Sequence, residues 1–226
     1  MANTIFTKFY DAPEINKKEI LRYMGCKNNT EDIDSLIDDC LHETLSKLSY
    51  KVCYRQFAIS QNESSLNLSF MTLNSLDLSK NLKGCENIMV FAATIGIEID
   101  RLISKYGKIS PAKSLCIQAI GAERIESLCN TFNNDIKSQL AEKNLFTRPR
   151  FSPGYGDLPL TVQKDFFRVL DCTRKIGLSL NDSLLMSPSK SVTAIIGICK
   201  EKTGCSLENT CDNCKKQNCS FRRVTI

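Results

Sequence analysis

The sequence of 226 residues predicts an α+β domain. Segments with helical spacing, segments that alternate apolar and polar residues, and one continuous apolar run follow one another along the chain. They do so without the regular strand–helix–strand rhythm that predicts a doubly wound parallel sheet. Apolar residues make up 42% of the chain, which is enough for a hydrophobic core.

Five segments have the spacing or the boundary signals of helices. They cover residues 15–25, 30–48, 95–106, 110–144 and 161–170. Thr30 is placed to cap the second segment, and acidic residues crowd its first turn. Ser110 is predicted to cap the longest segment, with Pro111 at its first position. Gly121 lies in the middle of this helix, where glycine costs about 1 kcal/mol relative to alanine, so we expect another helix or strand to approach closely there.

Strands are predicted from a change of period. Residues 51–59 and 65–73 alternate apolar and polar side chains. Residues 87–94, NIMVFAAT, are continuously apolar, which predicts a strand buried on both faces. Residues 145–160 are predicted to be a loop, and residues 184–198 a turn that leads into a strand.

Composition and motifs exclude several classes of function. The net charge is +5, but acids and bases alternate, so charge gives little support for a nucleic-acid partner. No signal peptide is recognisable, and the longest apolar run is far shorter than the roughly 20 residues of a membrane helix. We therefore expect a cytoplasmic protein without a membrane partner. Phosphate-binding, dinucleotide-binding and serine-hydrolase motifs are missing, and the single histidine, His42, excludes a histidine pair.

The composition shifts at residue 199, and we predict a domain over residues 1–198 and a cysteine-rich tail over residues 199–226. Twelve cysteines in a reducing compartment argue against a disulfide framework. The tail has the pattern C-x5-C-x5-C-x2-C-x4-C, which suits a metal site of four thiolates, either zinc or an iron–sulfur cluster. The predicted ligands are Cys205, Cys211, Cys214 and Cys219.

Two alternatives stay open for the cysteines. The tail cysteines could be free thiols, and the choice between zinc and iron–sulfur is not made by the spacing. Cys199 follows an apolar run and is predicted to be a buried strand residue. The remaining seven cysteines are scattered among apolar neighbours and are predicted to serve core packing.

The stretch RPRFSPGYGDLP contains three prolines, two glycines, two arginines and two aromatic residues. Arg150 offers a planar fork for a carboxylate. Pro153 and Gly154 impose a turn, Tyr155 supplies a ring face and a hydroxyl, and Asp157 adds a carboxylate. The loop suits an amino-acid-like ligand with a flat base, although a rigid proline turn over the core explains the same residues.

This stretch and the later LLMSPSKSVTAIIGI together resemble the activation domain of cobalamin-dependent methionine synthase, in its free-standing bacterial form. The Arg-x-x-x-Gly-Tyr signature of that family corresponds to Arg150, Gly154 and Tyr155. Its Met-x-Pro-x-x-Ser-Val segment corresponds to Met186, Pro188, Ser191 and Val192. The segments EILRYMGCK, LKGCENIMVFAATIGIEIDRLI and AIGAERIESLCN are also similar, so the resemblance covers roughly residues 14–198.

The resemblance implies a bent antiparallel sheet with flanking helices and a shallow groove for S-adenosylmethionine. Arg150 would bind the ligand carboxylate. Ser152 and Gly154 would give backbone contacts to the adenosine end, and Tyr155 would lie near the sulfonium or the ribose. Glu126 is the predicted acidic residue of the long helix. The alternative for that position is Glu123. A further family tyrosine has no counterpart here, and a family aspartate near the N-terminus is not placed.

The resemblance also implies a function and partners. The domain would present S-adenosylmethionine to a corrinoid-binding methionine synthase subunit, so that its inactive Co(II) is reduced and methylated. A flavodoxin- or ferredoxin-like protein would donate the electron. We expect a separate activation subunit that works in trans. The alternatives are an iron–sulfur reactivator of another corrinoid methyltransferase and a non-catalytic, zinc-stabilised interaction module.

Overall fold

The computed structural model describes residues 4–26, 28–62 and 65–201. Within these residues the helices are α1 (Lys17–Met24), α2 (Glu31–Thr44), α3 (Leu76–Asn81), α4 (Glu98–Ile109), α5 (Pro111–Ala141), α6 (Gln163–Leu170) and α7 (Cys172–Ile176). The strands are β1 (Phe6–Tyr10), β2 (Tyr50–Ala58), β3 (Ser60–Gln61), β4 (Leu66–Asn67), β5 (Thr72–Leu73), β6 (Cys85–Thr94), β7 (Phe146–Thr147), β8 (Ser179–Leu180), β9 (Met186–Ser187) and β10 (Ser191–Cys199). Short 3-10 turns follow α2 and precede α6.

A five-stranded antiparallel sheet with the order β1-β2-β6-β10-β7 organises the chain. Its long central strands are β6 and β10, which pair from Thr94 opposite Ser191 to Asn87 opposite Ile198. The sheet is curled and carries helices on both faces. The predicted α+β class with a bent antiparallel sheet is therefore confirmed.

Successive side chains of β6 pack alternately into two separate hydrophobic cores. Phe91 and Ala93 point to a core that they share with α1, α2, α4 and α5. Val90 and Ala92 point to a second core, shared with α3, α6 and α7. Because helices cover both faces, both sets of side chains must be apolar, as the continuous apolar run predicted.

The five predicted helices are present as α1, α2, α4, α5 and α6. The Thr30 side chain accepts a hydrogen bond from the Ile33 amide at 3.4 Å, so its predicted capping role is confirmed. Pro111 is the first residue of α5, as predicted. Ser110 occupies the cap position, but its side chain makes no capping bond. The prediction of a side-chain cap at Ser110 was wrong.

Other elements approach α5 closely at Gly121, as predicted. A Cβ atom built at Gly121 would lie 3.0 Å from Ile99 Cγ1 in α4 and 3.0 Å from Lys190 Cγ. The helix accepts glycine here because a larger side chain would displace these two neighbours.

The prediction of one strand over residues 65–73 was wrong. The segment divides into β4 and β5, which form a small sheet with β3. Between them Ser69 has a φ of +69°, and its amide donates to the Asn67 side chain at 2.8 Å. This local turn interrupts the alternation, because a short polar side chain bonded to the backbone two residues later favours a turn over an extended strand.

The predicted loop over residues 145–160 is partly a strand. It includes β7, and Phe151 pairs with Ile195 through backbone hydrogen bonds of 2.9 and 2.8 Å. The chain therefore runs along β10 before the proline-rich turn begins. β1, α3, α7 and β8 are not predicted from the sequence patterns.

The described cysteines are free thiols, and most serve the cores. Cys199 is buried at the end of β10, as predicted. Five of the seven scattered cysteines are buried, whereas Cys26 and Cys85 are partly exposed. In residues 4–26, 28–62 and 65–201, no cluster of histidine, cysteine or acidic side chains could hold a metal ion. The predicted ligands Cys205, Cys211, Cys214 and Cys219 lie outside the described residues, and the boundary between residues 198 and 199 remains a prediction.

The described part of the chain contains no candidate for a membrane-spanning helix. None of its helices combines the length and the apolar character that a crossing of the bilayer requires.

Candidate functional site

A polar cleft of about 240 Å³ lies between α1 and α5. Its lining consists of polar side chains from these two helices and from the residue that caps α1: Asn16, Glu19, Tyr23, Glu123, Glu126, Ser127 and Asn130. Residues three and four apart lie on one side of a helix, so the four lining residues of α5 form a polar stripe along one side of it.

Arg150 binds the α5 wall of this cleft. Its Nη2 donates to Glu126 Oε2 at 2.5 Å, and its Nη1 donates to Asn130 Oδ1 at 2.8 Å. The strand-like pairing of the next residue, Phe151, with Ile195 holds Arg150 beside α5. Arg150 does not itself line the cleft, and the side chains of Arg150 and Glu126 are 22% and 34% exposed, so both are partly accessible at its edge. The structure thus brings together two predicted site residues that are 24 positions apart in sequence.

Glu123, the alternative to Glu126, is only 2% exposed. Its oxygens accept from Arg124 Nε at 2.5 Å, from Arg124 Nη2 at 2.7 Å and from Ser127 Oγ at 2.7 Å. The Asn16 amide also donates to it at 3.1 Å. Glu123 therefore has its oxygens engaged by groups of the protein itself.

Arg124 is fully buried and joins the segment before α1 to α5. Its Nη1 donates to the Pro13 carbonyl at 2.6 Å, and its Nη2 donates to the Glu14 carbonyl at 2.5 Å. Burial lowers the pKa of Arg124, but the hydrogen bond and the charge of Glu123 hold it above its ordinary value. The hydrogen bonds of Arg124 to the Pro13 and Glu14 carbonyls, and of the Asn16 amide to Glu123, thus hold the segment before α1 against α5.

The three carboxylates of the cleft each face one arginine. Glu19 accepts from Arg22 at 2.7 Å, while Glu123 and Glu126 accept from Arg124 and Arg150. The charges of the lining are therefore largely compensated. Arg22 and Arg124 belong to helices, whereas Arg150 lies on a connecting segment.

Tyr23 lines the α1 side of the cleft. Burial raises the pKa of the Tyr23 hydroxyl, and the negative charge of Glu126 raises it further. The guanidinium of Arg22 lies over the Tyr23 ring, 4.2 Å from its centroid. Tyr23 is therefore neutral at physiological pH and offers a phenol as a hydrogen-bonding group beside Glu126.

The turn that follows Arg150 carries the other predicted site residues, Ser152, Gly154 and Tyr155. Gly154 has a φ of +88°, which favours glycine, and its amide donates to the Leu158 carbonyl at 2.9 Å. Tyr155 is 69% exposed. None of these three residues belongs to the cleft lining. The structure places them on the surface that follows Arg150 rather than inside the cleft.

Asp157 anchors this turn to α3. It accepts hydrogen bonds from the amides of Leu76 at 2.6 Å and Asp77 at 3.3 Å, and from the Ser75 hydroxyl. The Ser75 hydrogen bond is the main cause that lowers the pKa of Asp157. The carboxylate that the sequence suggested for a ligand is thus engaged in capping a helix.

The Met-x-Pro-x-x-Ser-Val segment ties β10 to the helices. Ser191 Oγ hydrogen-bonds with Thr94 Oγ1 at 2.9 Å and with the Pro188 carbonyl at 2.8 Å. Lys190 Nζ donates to Gln118 Oε1 of α5 at 2.8 Å, and burial lowers the pKa of Lys190. These contacts explain the segment as a structural connection between the sheet and α5.

Five cleft residues were missed in the sequence: Asn16, Glu19, Tyr23, Ser127 and Asn130. In α5 a signal was available, because the missed residues follow Glu123 and Glu126 at helical spacing, although the helix carries polar residues at other positions as well. In α1 the same residues are indistinguishable from the solvent face of a short amphipathic helix.

Comparisons with known proteins agree on one family. The model of the family described as "Vitamin B12 dependent methionine synthase, activation domain" matches residues 1–213. Among solved structures, the crystal structure of the MetH reactivation domain bound to AdoHcy superposes with a TM-score of 0.61 at 14% identity. The match covers 86% of this chain and 78% of that chain. At this identity the superposition establishes the fold alone. A search of curated proteins finds no significant match. From its family match over nearly the whole length, the chain belongs to the activation domains of vitamin B12-dependent methionine synthases.

Proposed function

We propose that this chain binds S-adenosylmethionine and supports reductive methylation of the inactive Co(II) corrinoid of methionine synthase. The observation that carries the proposal is the position of Arg150, whose guanidinium is held against Glu126 and Asn130 of the cleft wall. Membership in the family supports the same function, and the matched reactivation domain was solved with AdoHcy, the demethylated product of that ligand.

The ion pair of Arg150 and Glu126 suits the amino-acid end of the ligand. The ligand carboxylate binds Arg150, and the ligand ammonium binds Glu126, so each charge of the ligand replaces one partner of the existing pair. No charge is then left uncompensated, which keeps the cost of desolvation low. Glu126 is favoured over Glu123 because the oxygens of Glu123 already bind Arg124, Ser127 and Asn16.

The adenosine end lies outside the cleft in this proposal. The cleft volume of about 240 Å³ is below the roughly 300–1,000 Å³ of typical small-molecule pockets. The remainder of the ligand then crosses the turn after Arg150, where Ser152 and Gly154 offer backbone groups and Tyr155 offers an exposed ring face. A ligand held in this shallow way keeps its methyl group accessible to a partner.

The chemistry would belong to the ligand and to the corrinoid of the partner: after reduction by one electron from the donor, the cobalt would accept the methyl group of the sulfonium as methyl-Co(III), and S-adenosylhomocysteine would be released. The chain contributes position, because it holds the ligand where the corrinoid of its partner can reach it. The partners are a corrinoid-binding methionine synthase subunit and a flavodoxin- or ferredoxin-like electron donor. We also propose a site for zinc or an iron–sulfur cluster, on the basis of cysteine spacing alone. Its ligands are Cys205, Cys211, Cys214 and Cys219.

Calorimetric titration with S-adenosylmethionine tests the binding step. An Arg150→Ala variant loses charge-assisted hydrogen bonds worth about 1.5–3 kcal/mol, which corresponds to roughly 10–150-fold weaker binding. Arg174→Ala is the matched control, because its side chain is 85% exposed and pairs only locally with Asp171. Equal affinities for the wild type and the Arg150→Ala variant would contradict the site.

Reactivation in the presence of a corrinoid protein tests the function. The decay of the Co(II) signal is followed by electron paramagnetic resonance, with a reductant and S-adenosylmethionine present. We expect the wild type and Arg174→Ala to accelerate the decay, and Arg150→Ala to lose most of this effect. A wild-type chain that neither binds S-adenosylmethionine nor accelerates the decay when the corrinoid protein is present would refute the proposal.

A further inference from the structure

Two cysteines face each other where the central strands end. Cys85 is the first residue of β6, and Cys199 is the last residue of β10. They are direct partners in the antiparallel pairing, just after a register shift between Ile198 and Cys199. Opposite residues in such a pair have Cα atoms about 4.5–5.5 Å apart, which lies within the roughly 4.4–6.8 Å that a disulfide spans.

Both thiols lie on the same face of the sheet. A Cβ atom built at Gly197 would lie 2.7 Å from Cys85 Sγ, so Cys85 fills the space that the missing Gly197 side chain leaves. Gly197 and Cys199 are two residues apart in β10, and alternate residues of a strand share a face. Cys199 is also close enough to Cys85 to act on its pKa. The two sulfur atoms therefore occupy one small site.

Arg148 completes this site. It is 8% exposed, its Nη2 donates to the Lys83 carbonyl at 2.7 Å, and its buried Nε has no hydrogen-bond partner. A buried donor without an acceptor is unfavourable unless a further group satisfies it. Burial raises the pKa of Cys85 to about 11, against the opposing effect of Arg148. A negative sulfur at this position would be stabilised by the guanidinium.

Two other described pairs of cysteines provide a comparison. Cys40 lies beside Cys116, and Cys53 lies beside Cys172. All four of these side chains are buried, with exposures of 2% or less. Cys85 is partly exposed and is therefore more accessible to an oxidant in solution than these four buried cysteines.

We propose that Cys85 and Cys199 form a reversible disulfide, a redox modification site at the point where the cysteine-rich tail begins. The Cys85 thiolate attacks a small disulfide such as oxidised glutathione, which gives a mixed disulfide and one released thiol. The Cys199 thiolate then attacks the Cys85 sulfur and releases the second thiol. The protein dithiol thus loses two electrons and two protons, and the small disulfide becomes two thiols. In a reducing compartment such a bond is transient and serves as a redox sensor.

The pH dependence of this reaction follows from the groups around Cys85. Arg148 and Cys199 face the thiol, and the exposed pair of Glu86 and Lys200, 2.8 Å apart, lies at the same strand end. Because the pKa of Cys85 is about 11, the thiolate fraction below that pH rises about tenfold per pH unit. We expect the rate of oxidation to rise about 100-fold between pH 7 and pH 9.

The test uses the full chain, reduced and then equilibrated with defined ratios of oxidised to reduced glutathione. Free thiols are trapped with N-ethylmaleimide, and linked peptides are identified by mass spectrometry. We expect the amount of Cys85–Cys199 linkage to increase with the ratio of oxidised to reduced glutathione, in a single two-electron transition. The linkage should disappear with dithiothreitol. Cys85→Ser should abolish this linkage. Cys53→Ser, the same change in the fully buried pair of Cys53 and Cys172, should leave it at the wild-type level.

The wild-type chain alone can overturn the proposal, so the result does not depend on how well a variant folds. Linkage of Cys199 to Cys205 or to another tail cysteine in place of Cys85 would refute it. The same holds if Cys85 and Cys199 remain fully alkylated at ratios where the tail cysteines are oxidised. Neither readout involves S-adenosylmethionine.

Discussion

Replacement of Arg124 by methionine should strongly destabilise the domain. Arg124 and Glu123 are 0% and 2% exposed, so the variant leaves the Glu123 carboxylate buried without its counter-charge. Removal of one partner of a buried ion pair costs roughly 3–5 kcal/mol. A domain of this size loses about 2–4 °C in Tm per kcal/mol, which predicts a decrease of about 6–20 °C. The Pro13 and Glu14 carbonyls also lose their donor, so α1 should loosen first.

Two further variants separate the charge from the packing. Glu123→Gln combined with Arg124→Met removes both charges and should recover part of the lost stability, because no unpaired charge stays buried. Glu126→Gln is the matched control one turn along α5. Its carboxylate is 34% exposed and pairs with a loop arginine, so the cost should be below about 1 kcal/mol.

Urea unfolding of the three proteins and the wild type, followed by circular dichroism, measures these differences. Hydrogen exchange of α1 amides reports whether this helix loosens in Arg124→Met. Stability of Arg124→Met within about 1 kcal/mol of the wild type would show that Arg124 does not hold the segment before α1 to α5. The same conclusion follows if α1 exchange is unchanged.

Three further outcomes are expected. Gly197→Ala should cost roughly 1–3 kcal/mol in urea unfolding, because its Cβ would lie 2.7 Å from the Cys85 sulfur; a neutral result would contradict this close approach. The Ser75 hydrogen bond lowers the pKa of Asp157 in the folded state. The Asp157 carboxylate therefore contributes to the free energy of unfolding above the ordinary Asp pKa of about 3.9. This stability is lost as the pH falls through the lower pKa of the folded state. Asp157→Asn should therefore be less stable than the wild type at pH 6, and the difference should vanish in acid; a difference that grows in acid would refute the assignment. Cys211→Ser should lower the metal content found by elemental analysis, and a metal-free wild type prepared without oxygen would contradict the tail site.

Much of the architecture could be predicted because it depends on local period. The apolar stripe and the cap at Thr30 predicted α2, and Pro111 marked the start of α5. The continuous apolar run predicted β6, because a strand covered on both faces must be apolar throughout. The alternation over residues 65–73 was misleading, because a polar turn around Ser69 leaves the period of the side chains unchanged while it breaks the strand.

By itself the sequence determined the α+β class, the positions of the long helices and central strands, and the burial of Cys199. Through its motifs it also determined the family and the candidate residues Arg150 and Glu126. The tertiary structure decided which side chains meet. Glu123 and Arg124 are neighbours in a helix, where adjacent side chains diverge by about 100°, yet in the folded chain they form a buried ion pair, and Arg124 also binds the carbonyls before α1. Likewise, Arg150 reaches α5 because the chain before the proline turn pairs with β10. Which distant side chains meet depends on the register between elements that are far apart in sequence, and no local pattern encodes that register.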